Sequence, residues 1–302
     1  MRFARIYRDG REGVALADGD SARALFDTDA SYPGGVSELV AGGSEGLERG
    51  AEMLGTAEPA DLASVSYLPL LGQTGKIICV GINYRGHVRE TDSEVPSHPT
   101  IFARFPTSLT GHKAPLIRPR VSEQLDYEGE LVAVIGKGGR HINEDDALDH
   151  VIGYSIFNDA TLRDFQFETP QWTVGKNFDD TGAFGPVLVT ADELPAGGSG
   201  LQLTTRLNGQ IVQQGDTSEM IYGVANVIAF LSEAMTFHPG DVLVMGTPPG
   251  VGFARDPQLF MKAGDVCEVE IERIGRLSNP ILDEVNGDAP REPIVASHQA
   301  AR

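Results

Sequence analysis

The sequence predicts an α+β protein in which β-structure dominates, and two observations lead to that class. From about residue 76 onward the apolar segments are mostly short, of strand length, and turn residues separate them. Glycine accounts for 36 of 302 residues, which favours many tight turns between short strands. Only one long segment in this part of the chain shows a clear helical period.

The first 72 residues form a predicted small N-terminal α/β domain. Met1–Tyr7 and Gly13–Leu16 have strand patterns, and Asp9-Gly10 between them predicts a β-hairpin turn. A short helix is expected near Gly46–Leu54. Ala57–Gly75 has the composition of a linker and ends in L-P-L-L-G-Q-T-G.

Residues 76–285 form the predicted larger domain, which begins with the strand K-I-I-C-V-G. Asn208-Gly209 lies between two alternating runs and is a strong signal for a hairpin. A helix follows, with Ser218 as its predicted N-cap and an apolar face of Ile221, Val224, Ile228, Leu231 and Met235. Val242–Met245 then predicts a strand. Residues 286–302 show no periodicity and are expected to be a mobile tail.

The charge balance excludes some classes of partner. The chain carries 24 Lys and Arg against 43 Asp and Glu, a formal net charge of −19, which argues against nucleic acid and anionic membranes. No segment approaches the ~18–20 apolar residues of a membrane helix, and the N-terminus has no apolar signal core. Cys79 and Cys267 lie in apolar runs and are interpreted as small buried hydrophobic residues. We therefore expect a soluble, cytoplasmic protein.

Glu128 and Glu130 are the first candidate site residues, in L-D-Y-E-G-E-L-V-A-V-I-G. Two positions apart on a strand, they share one face, and Val132 and Val134 continue that face with apolar side chains. The glutamates therefore point to the interior or to a cleft, although an ion pair or an exposed strand end would give the same pattern. Asp159 also ends an apolar stretch. Because buried carboxylates need a partner or a metal, the three residues predict a divalent cation held by oxygen ligands.

Two further groups have spacings that suit chemistry. Asp159, Arg163 and Gln166 are spaced i, i+4, i+7, which would place them on one helical face suited to a metal-bound anion, although Asp159 alone could be an N-cap. His87 and Glu90 are three apart and would meet on one helical turn, as a general base requires. A solvated pair is the simpler alternative. The loop T-D-S-E-V-P-S-H-P-T that follows is long enough to cover a site.

The remaining signals are weaker. Lys176 follows a glycine and indicates little alone, whereas the loop Gly246–Gly252 offers Thr247 and backbone N–H groups to a ligand oxygen. The chain has neither a Walker A ending nor a G-x-G-x-x-G in a βαβ frame, so nucleotide and nicotinamide chemistry have no support. The other histidines do not cluster at the spacing of a zinc site.

In this order, the motifs resemble the fumarylacetoacetate hydrolase superfamily over about residues 76–282. The matching segments are G-I-N-Y-R-G-H-V-R-E (81–90), L-D-Y-E-G-E-L-V-A-V-I-G-K (125–137), G-Y-S-I-F-N-D-A-T-L-R-D-F-Q (153–166), G-K-N-F-D (175–179), F-G-P (184–186), N-G-Q-I-V-Q (208–213), H-P-G-D-V-L-V-M-G-T-P-P-G-V-G (238–252) and I-G-R-L-S-N-P-I (274–281). The H-x-x-E spacing is similar to the branch of acylpyruvases and 2-hydroxyhepta-2,4-diene-1,7-dioate isomerases.

The resemblance implies a mixed β-sandwich roll, a homodimer, and Mg²⁺ or Mn²⁺ bound by Glu128, Glu130 and Asp159. It also implies a catalytic His87–Glu90 dyad on a mobile lid, with Lys176 beside the substrate. The implied substrate contacts are Arg163, Gln166 and Thr247. Two positions depart from the family pattern. Arg104 stands where a lysine is common, and Pro249 stands where a small residue is usual.

The predicted function is divalent-metal-dependent hydrolysis of a C–C bond in a 2,4-diketo acid, which yields pyruvate and a carboxylic acid. The alternative is a decarboxylase or isomerase of 2-keto or 2-hydroxydienoic acids. Either activity makes a small keto acid the expected partner, and the sequence does not indicate the acyl group.

Overall fold

β-Strands make up most of the regular secondary structure among the described residues. The computed structural model describes residues 1–18 and 21–285, and the predicted tail of residues 286–302 lies outside them. The strands are β1 (Arg2–Arg8), β2 (Arg11–Asp18), β3 (Ser21–Phe26), β4 (Ser66–Tyr67), β5 (Ile77–Gly81), β6 (Thr100–Ala103), β7 (Leu109–Thr110), β8 (Leu116–Arg118), β9 (Leu125–Asp126), β10 (Gly129–Ile135), β11 (Val151–Asp159), β12 (Thr161–Leu162), β13 (Gly182–Thr190), β14 (Gln202–Leu207), β15 (Gln210–Asp216), β16 (Val242–Val244), β17 (Val266–Ile271) and β18 (Gly275–Asp283).

The helices are short and few. They are α1 (Val36–Ala41), α2 (Gly43–Gly55), α3 (Arg85–Glu90), α4 (Arg163–Phe167), α5 (Thr173–Lys176) and α6 (Val224–Ala234). Turns of 3₁₀ helix occur at Pro106–Ser108, Glu144–His150, Ala191–Glu193, Ala196–Gly198, Thr217–Glu219 and Gly252–Ala254. Among the described residues, no helix combines the length and the apolar character needed to cross a membrane.

A large mixed sheet organises the molecule. Its strand order is β3-β2-β1-β13-β11-β10-β16-β5-β6, with β4 beside β1 and β7 beside β13. Most neighbours are antiparallel, whereas β16 runs parallel to β5 and β7 runs parallel to β13. A second sheet, in the order β15-β14-β17-β18-β8, packs against β10, β11 and β13. The predicted β-rich α+β class is confirmed.

The N-terminal hairpin continues the large sheet. β1 pairs antiparallel with β13, with Arg2 opposite Val189 and Phe3 opposite Leu188. The predicted turn at Asp9-Gly10 is confirmed, with both residues at positive φ (54° and 80°), as a type I′ turn requires. The second predicted hairpin also forms, with Asn208 and Gly209 at φ 53° and 78°. The predicted helix near Gly46–Leu54 lies within α2.

Strand β10 is buried on both faces, because an apolar core covers it on each side. All its residues are buried, and alternate residues enter two different apolar cores. Leu131, Ala133 and Ile135 pack into one core, while Val132 and Val134 pack into the other with Phe157 and Val244. The even-numbered face therefore points inward, as the sequence pattern indicates.

The predicted start of the long helix is wrong. Ser218 is no N-cap of that helix, because it lies in the 3₁₀ turn Thr217–Glu219, where Asp216 caps its backbone N–H. Helix α6 begins only at Val224, after Gly223. Between the 3₁₀ turn and α6, Asn83 holds the backbone. Its carbonyl accepts a hydrogen bond from the N–H of Ile221, and its side-chain amide accepts from the N–H of Tyr222 and donates to the carbonyl of Tyr222. This tertiary contact replaces the first helical turn that the apolar period predicts.

Candidate active site

The three predicted acidic residues come together where β10 begins and β11 ends. Gly129 pairs with Asn158 across these antiparallel strands, so Glu128, Glu130 and Asp159 converge at one edge. Each offers a carboxylate oxygen, and the three oxygens lie within 4.8 Å of one another. All three side chains are buried. The backbone N–H of Asp159 donates to the carbonyl of Glu128 at 2.8 Å, which fixes the two residues relative to each other.

Four buried carboxylates and three buried cations make up the charge at this edge. Asp126 joins the acidic set two positions before Glu128, and its neighbouring cations are Arg104, Arg163 and Lys176. With all seven ionised, one negative charge remains in excess. A divalent cation would turn that excess into one net positive charge, which suits an anionic ligand. Carboxylate oxygens are also the ligands that Mg²⁺ and Mn²⁺ prefer, so the donor set fits such an ion.

Lys176 occupies the centre of the cluster. Its Nζ donates to Glu128 at 2.7 Å and to Asp159 at 2.5 Å. Burial lowers the pKa of Lys176, but Asp159 and Glu128 more than offset that effect and leave the pKa above its ordinary value. Lys176 is therefore an ammonium group that compensates negative charge.

The acidic side chains differ in their electrostatics. Burial raises the pKa of Glu128, but Lys176 and Arg163 outweigh it and bring that pKa to about 2. Burial raises the pKa of Glu130 well above its usual range, and the charges of Asp159 and Glu128 add to the effect. A cation between the three residues would offset both effects and stabilise the Glu130 carboxylate.

Arg163 and Arg104 hold the acidic residues from two sides. Arg163 reaches Asp126 at 2.9 Å and Glu128 at 2.6 Å, and it donates to Gln166 at 2.8 Å. Arg104 pairs with the Asp159 oxygen that Lys176 does not reach, and it also donates to the carbonyl of Ala160. Asp159 therefore has both carboxylate oxygens fixed by cations.

The predicted His87–Glu90 pair forms on α3. His87 Nδ1 lies 2.7 Å from Glu90 Oε1, and the other Glu90 oxygen accepts from the backbone N–H of Gly250 at 2.7 Å. Because Nδ1 faces Glu90, Nε2 is the ring nitrogen left for a ligand. The geometry is that of an oriented imidazole.

The loop Gly246–Gly252 connects the dyad to the acidic cluster. Its first N–H, on Gly246, donates to Glu130 at 2.5 Å. Thr247 donates to the carbonyl of Gly129 at 3.0 Å and accepts from Gln213 at 2.8 Å. Gln213 also accepts the N–H of Gly129 at 3.0 Å, so one amide fixes both the strand and the loop.

A single cavity of about 140 Å³ joins these groups. Its polar lining comprises His87, Thr91, Ser93, Glu128, Glu130, Arg163, Gln166, Lys176 and Thr247. Its apolar lining includes Val80, Phe102, Phe167, Trp172 and Phe253. Seven of the nine predicted site residues line this cavity, while Asp159 is joined to it through Lys176 and Glu90 through His87.

One predicted arrangement is wrong. Asp159 does not share a helical face with Arg163 and Gln166, because it is the last residue of β11 and α4 begins only at Arg163. The three still meet in the same region, since β12 turns the chain back towards β9 between them.

Three residues that contribute to the site were not predicted. The signal for Asp126 was present, because it continues the face of Glu128 and Glu130 at the same period of two. Arg104 was noted only as a departure from the family pattern. Gln213 gave no local signal, because its role depends on β15 lying beside the loop.

Known proteins are similar to this chain in sequence. The family model described as fumarylacetoacetate (FAA) hydrolase C-terminal matches residues 76–282. Oxaloacetate tautomerase fahd2, mitochondrial, from Xenopus laevis is 38% identical over 275 residues, which cover 90% of this chain and 86% of the relative. Oxaloacetate tautomerase YisK from Bacillus subtilis (strain 168) is 39% identical over 271 residues, with 85% and 89% covered.

Solved structures show the same fold. Fumarylacetoacetate hydrolase from psychrophilic Exiguobacterium antarcticum superposes with a TM-score of 0.81 at 35% identity, covering 94% of this chain and 100% of that one. A 2-hydroxyhepta-2,4-diene-1,7-dioate isomerase from Mycobacterium marinum gives a TM-score of 0.71 at 28% identity, with 95% and 100% covered. The predicted β-roll with a small N-terminal β/α region is therefore confirmed.

Proposed function

The chain belongs to the fumarylacetoacetate hydrolase family, and we propose that it is a metal-dependent tautomerase that interconverts the keto and enol forms of a short 2-keto acid. Oxaloacetate is the first substrate to test. The observation that carries this proposal is the meeting of an oriented imidazole, an ammonium group and three carboxylates around a cavity of about 140 Å³. The relatives named as oxaloacetate tautomerases support it, and they favour the isomerase alternative over the C–C hydrolysis expected first.

The proposed reaction is a balanced proton shift. His87 Nε2 takes a proton from C3 of the keto acid, and the resulting imidazolium gives that proton to the C2 oxygen to form the enol. The reverse steps regenerate the keto form. Glu90 keeps Nδ1 protonated and stabilises the imidazolium that forms. Lys176, which lines the cavity, would stabilise negative charge on the C2 oxygen through its ammonium group.

Glu128, Glu130 and Asp159 would hold Mg²⁺ or Mn²⁺. Such an ion would supply Lewis-acid polarisation of the keto group. Arg163, Gln166 and Thr247 are proposed as the contacts of the substrate's carboxylate, since all three line the cavity beside the acidic cluster. A homodimer and a cytoplasmic location remain predictions from the sequence.

The test follows the ultraviolet absorbance of enol oxaloacetate as it decays to the keto form with added Mg²⁺ or Mn²⁺. We expect acceleration by the wild-type protein, and losses of at least a hundredfold in kcat for His87→Asn and Glu130→Gln. Glu48→Gln, on the exposed face of α2, is the matched control and should keep full activity. No acceleration by the wild-type enzyme would refute the proposal.

Hydrolysis of an acylpyruvate is the second candidate, because the same His87 Nε2 could remove a proton from water instead of from C3. The products distinguish hydrolysis from tautomerisation. Hydrolysis of a 2,4-diketo acid releases pyruvate, which a lactate dehydrogenase assay detects, whereas tautomerisation conserves all the carbon atoms. Decarboxylation of oxaloacetate also forms pyruvate, and CO₂ release identifies it.

A further inference from the structure

An aromatic wall closes the cavity beside Lys176. We infer that Trp172, the single tryptophan of the chain, sets the upper length of the substrate that the cavity accepts. This inference rests on the proposed function, since it assumes that a 2-keto acid binds with its acid end at the carboxylate cluster. The expected substrates are then short 2-keto acids that carry no bulky group on C3.

The cavity is small. Sites for drug-sized ligands occupy about 300–1,000 Å³, whereas this cavity has about 140 Å³. At about 30 Å³ per water in the liquid, that space corresponds to roughly five waters. A four-carbon keto acid suits it, while an acid with an aryl group needs one of the walls to move.

Trp172 is held in place by its neighbours. Its ring lies so close to the backbone of Gly81 that a Cβ added there would be 2.3 Å from Trp172 Cζ3. Its ring also meets Phe102 edge-on, with centroids 5.5 Å apart and planes at 66°. The carbonyl of Trp172 accepts the N–H of Lys176 at 3.2 Å. The indole is therefore fixed on two sides, and its backbone is tied to α5.

The other large wall residues are weaker candidates. Phe167 is 55% exposed and can swing outward. The Phe253 ring lies 4.3 Å from the guanidinium of Arg163, so its replacement would disturb the proposed carboxylate contact. Phe102 lies 4.8 Å from Lys176 Nζ, and its loss would alter that ammonium group. Trp172 is the large wall residue whose replacement enlarges the cavity and leaves these cations in place.

The kinetic test compares oxaloacetate with phenylpyruvate, a 2-keto acid that carries an aryl group on C3. We expect Trp172→Ala to raise the ratio of kcat/KM for phenylpyruvate to that for oxaloacetate at least tenfold, with Trp172→Phe in between. Phe230→Ala, an exposed aromatic outside this cavity, is the control and should leave the ratio unchanged. A ratio within twofold of wild type in folded Trp172→Ala, or a ratio in Trp172→Phe no higher than that of wild type, would overturn the inference.

A binding test keeps the inference separate from the proposed function. If the wild-type enzyme tautomerises neither acid, the proposed function fails, and calorimetry with Mg²⁺ still compares phenylpyruvate binding to wild type and Trp172→Phe. Tighter binding of phenylpyruvate to Trp172→Phe supports the inference that Trp172 limits substrate length, and equal or weaker binding overturns it. Because Trp172 is the only tryptophan, oxalate titration should also change the wild-type tryptophan emission. Calorimetric binding of oxalate without such a change would contradict its place at the ligand.

Discussion

The carboxylate of Glu90 accepts a hydrogen bond of 2.7 Å from the backbone N–H of Gly250. The dyad helix α3 is thereby joined to the loop whose first residue, Gly246, donates to Glu130. The ring of Pro249 also packs on Gly86, where an added Cβ would lie 2.8 Å from Pro249 Cγ. The proposed base and the proposed metal ligand Glu130 are therefore positioned by one loop, and Pro249 is part of that contact.

Gly250→Ala should reduce both stability and activity. Gly250 has φ +109°, and a Cβ would lie 2.2 Å from the carbonyl oxygen of Val212, so the loop must shift away. Backbone strain of this kind costs about 1–3 kcal/mol. The shift removes the donor that orients Glu90, so we expect kcat for tautomerisation to fall at least tenfold. Urea unfolding and enol decay measure the two effects.

Gly10→Ala is the matched control for that substitution. Gly10 has φ +80° in the distant N-terminal hairpin, with no atom within 4 Å of an added Cβ. It should lose stability through strain alone and keep wild-type kcat. Equal kcat in the two variants would show that the Gly250 contact does not orient the dyad.

Arg104→Met should strongly destabilise the metal-free protein. Arg104 is buried and paired with Asp159, and removing one partner of a buried pair costs about 3–5 kcal/mol. Added Mg²⁺ should recover part of this loss, because the freed Asp159 gains a cation. Arg104→Lys keeps the charge and should lose less. Urea unfolding of wild type and the two variants, each with Mg²⁺ and with a chelator, measures these free energies.

Arg118→Met provides the comparison on the surface. Arg118 pairs with Asp283 at 2.7 Å, where the Asp283 side chain is 50% exposed, so its loss should cost under about 1 kcal/mol. A similar cost for the two arginines, or no response of Arg104→Met to Mg²⁺, would count against the role of Arg104 at the site.

The sequence predicted local elements of the site better than long-range contacts. The His87–Glu90 pair and the face of Glu128 and Glu130 follow from helical and strand periods, which act over a few residues. The prediction that the helix starts at Ser218 was wrong because Asn83, more than 130 positions away, hydrogen-bonds the backbone just before α6. Arg104 and Gln213 escaped prediction for the same reason, since their partners lie on other strands. Their contacts arise from the sheet order, which no local pattern encodes.

Tyr222→Phe should weaken substrate binding. The Tyr222 hydroxyl donates to the carbonyl of Pro96 at 2.6 Å and so fastens the segment that supplies Thr91 and Ser93 to the cavity. One lost hydrogen bond is worth about 0.5–1.5 kcal/mol. We therefore expect KM for oxaloacetate to rise about three- to tenfold with kcat nearly unchanged. Tyr7→Phe, on β1, should change neither constant, and a fall in kcat alone for Tyr222→Phe would contradict this role.

His112 should make the protein less stable as the pH falls from about 6.5 towards 4. Its Nδ1 accepts the backbone N–H of Ser278 at 3.1 Å, and its ring meets Tyr67 edge-on at 4.7 Å. Burial, with a smaller effect of Lys113, lowers the pKa of His112 to about 4. In this pH range the unfolded chain, with a histidine pKa near 6.5, binds a proton that the folded protein excludes. Protonation of His112 alone changes the free energy of unfolding by at most about 1.4 kcal/mol per pH unit.

His112→Gln tests the sign and the source of that slope, because glutamine retains an acceptor for Ser278 but does not titrate. Urea unfolding at several pH values should give the variant a shallower loss of stability than wild type between pH 6.5 and about 4. His141→Gln removes a histidine that is 61% exposed and should follow the wild-type curve. Since other groups also titrate in acid, the difference between the two variants is the decisive quantity. Parallel curves for His112→Gln and wild type would contradict the prediction that the folded protein excludes a proton from His112.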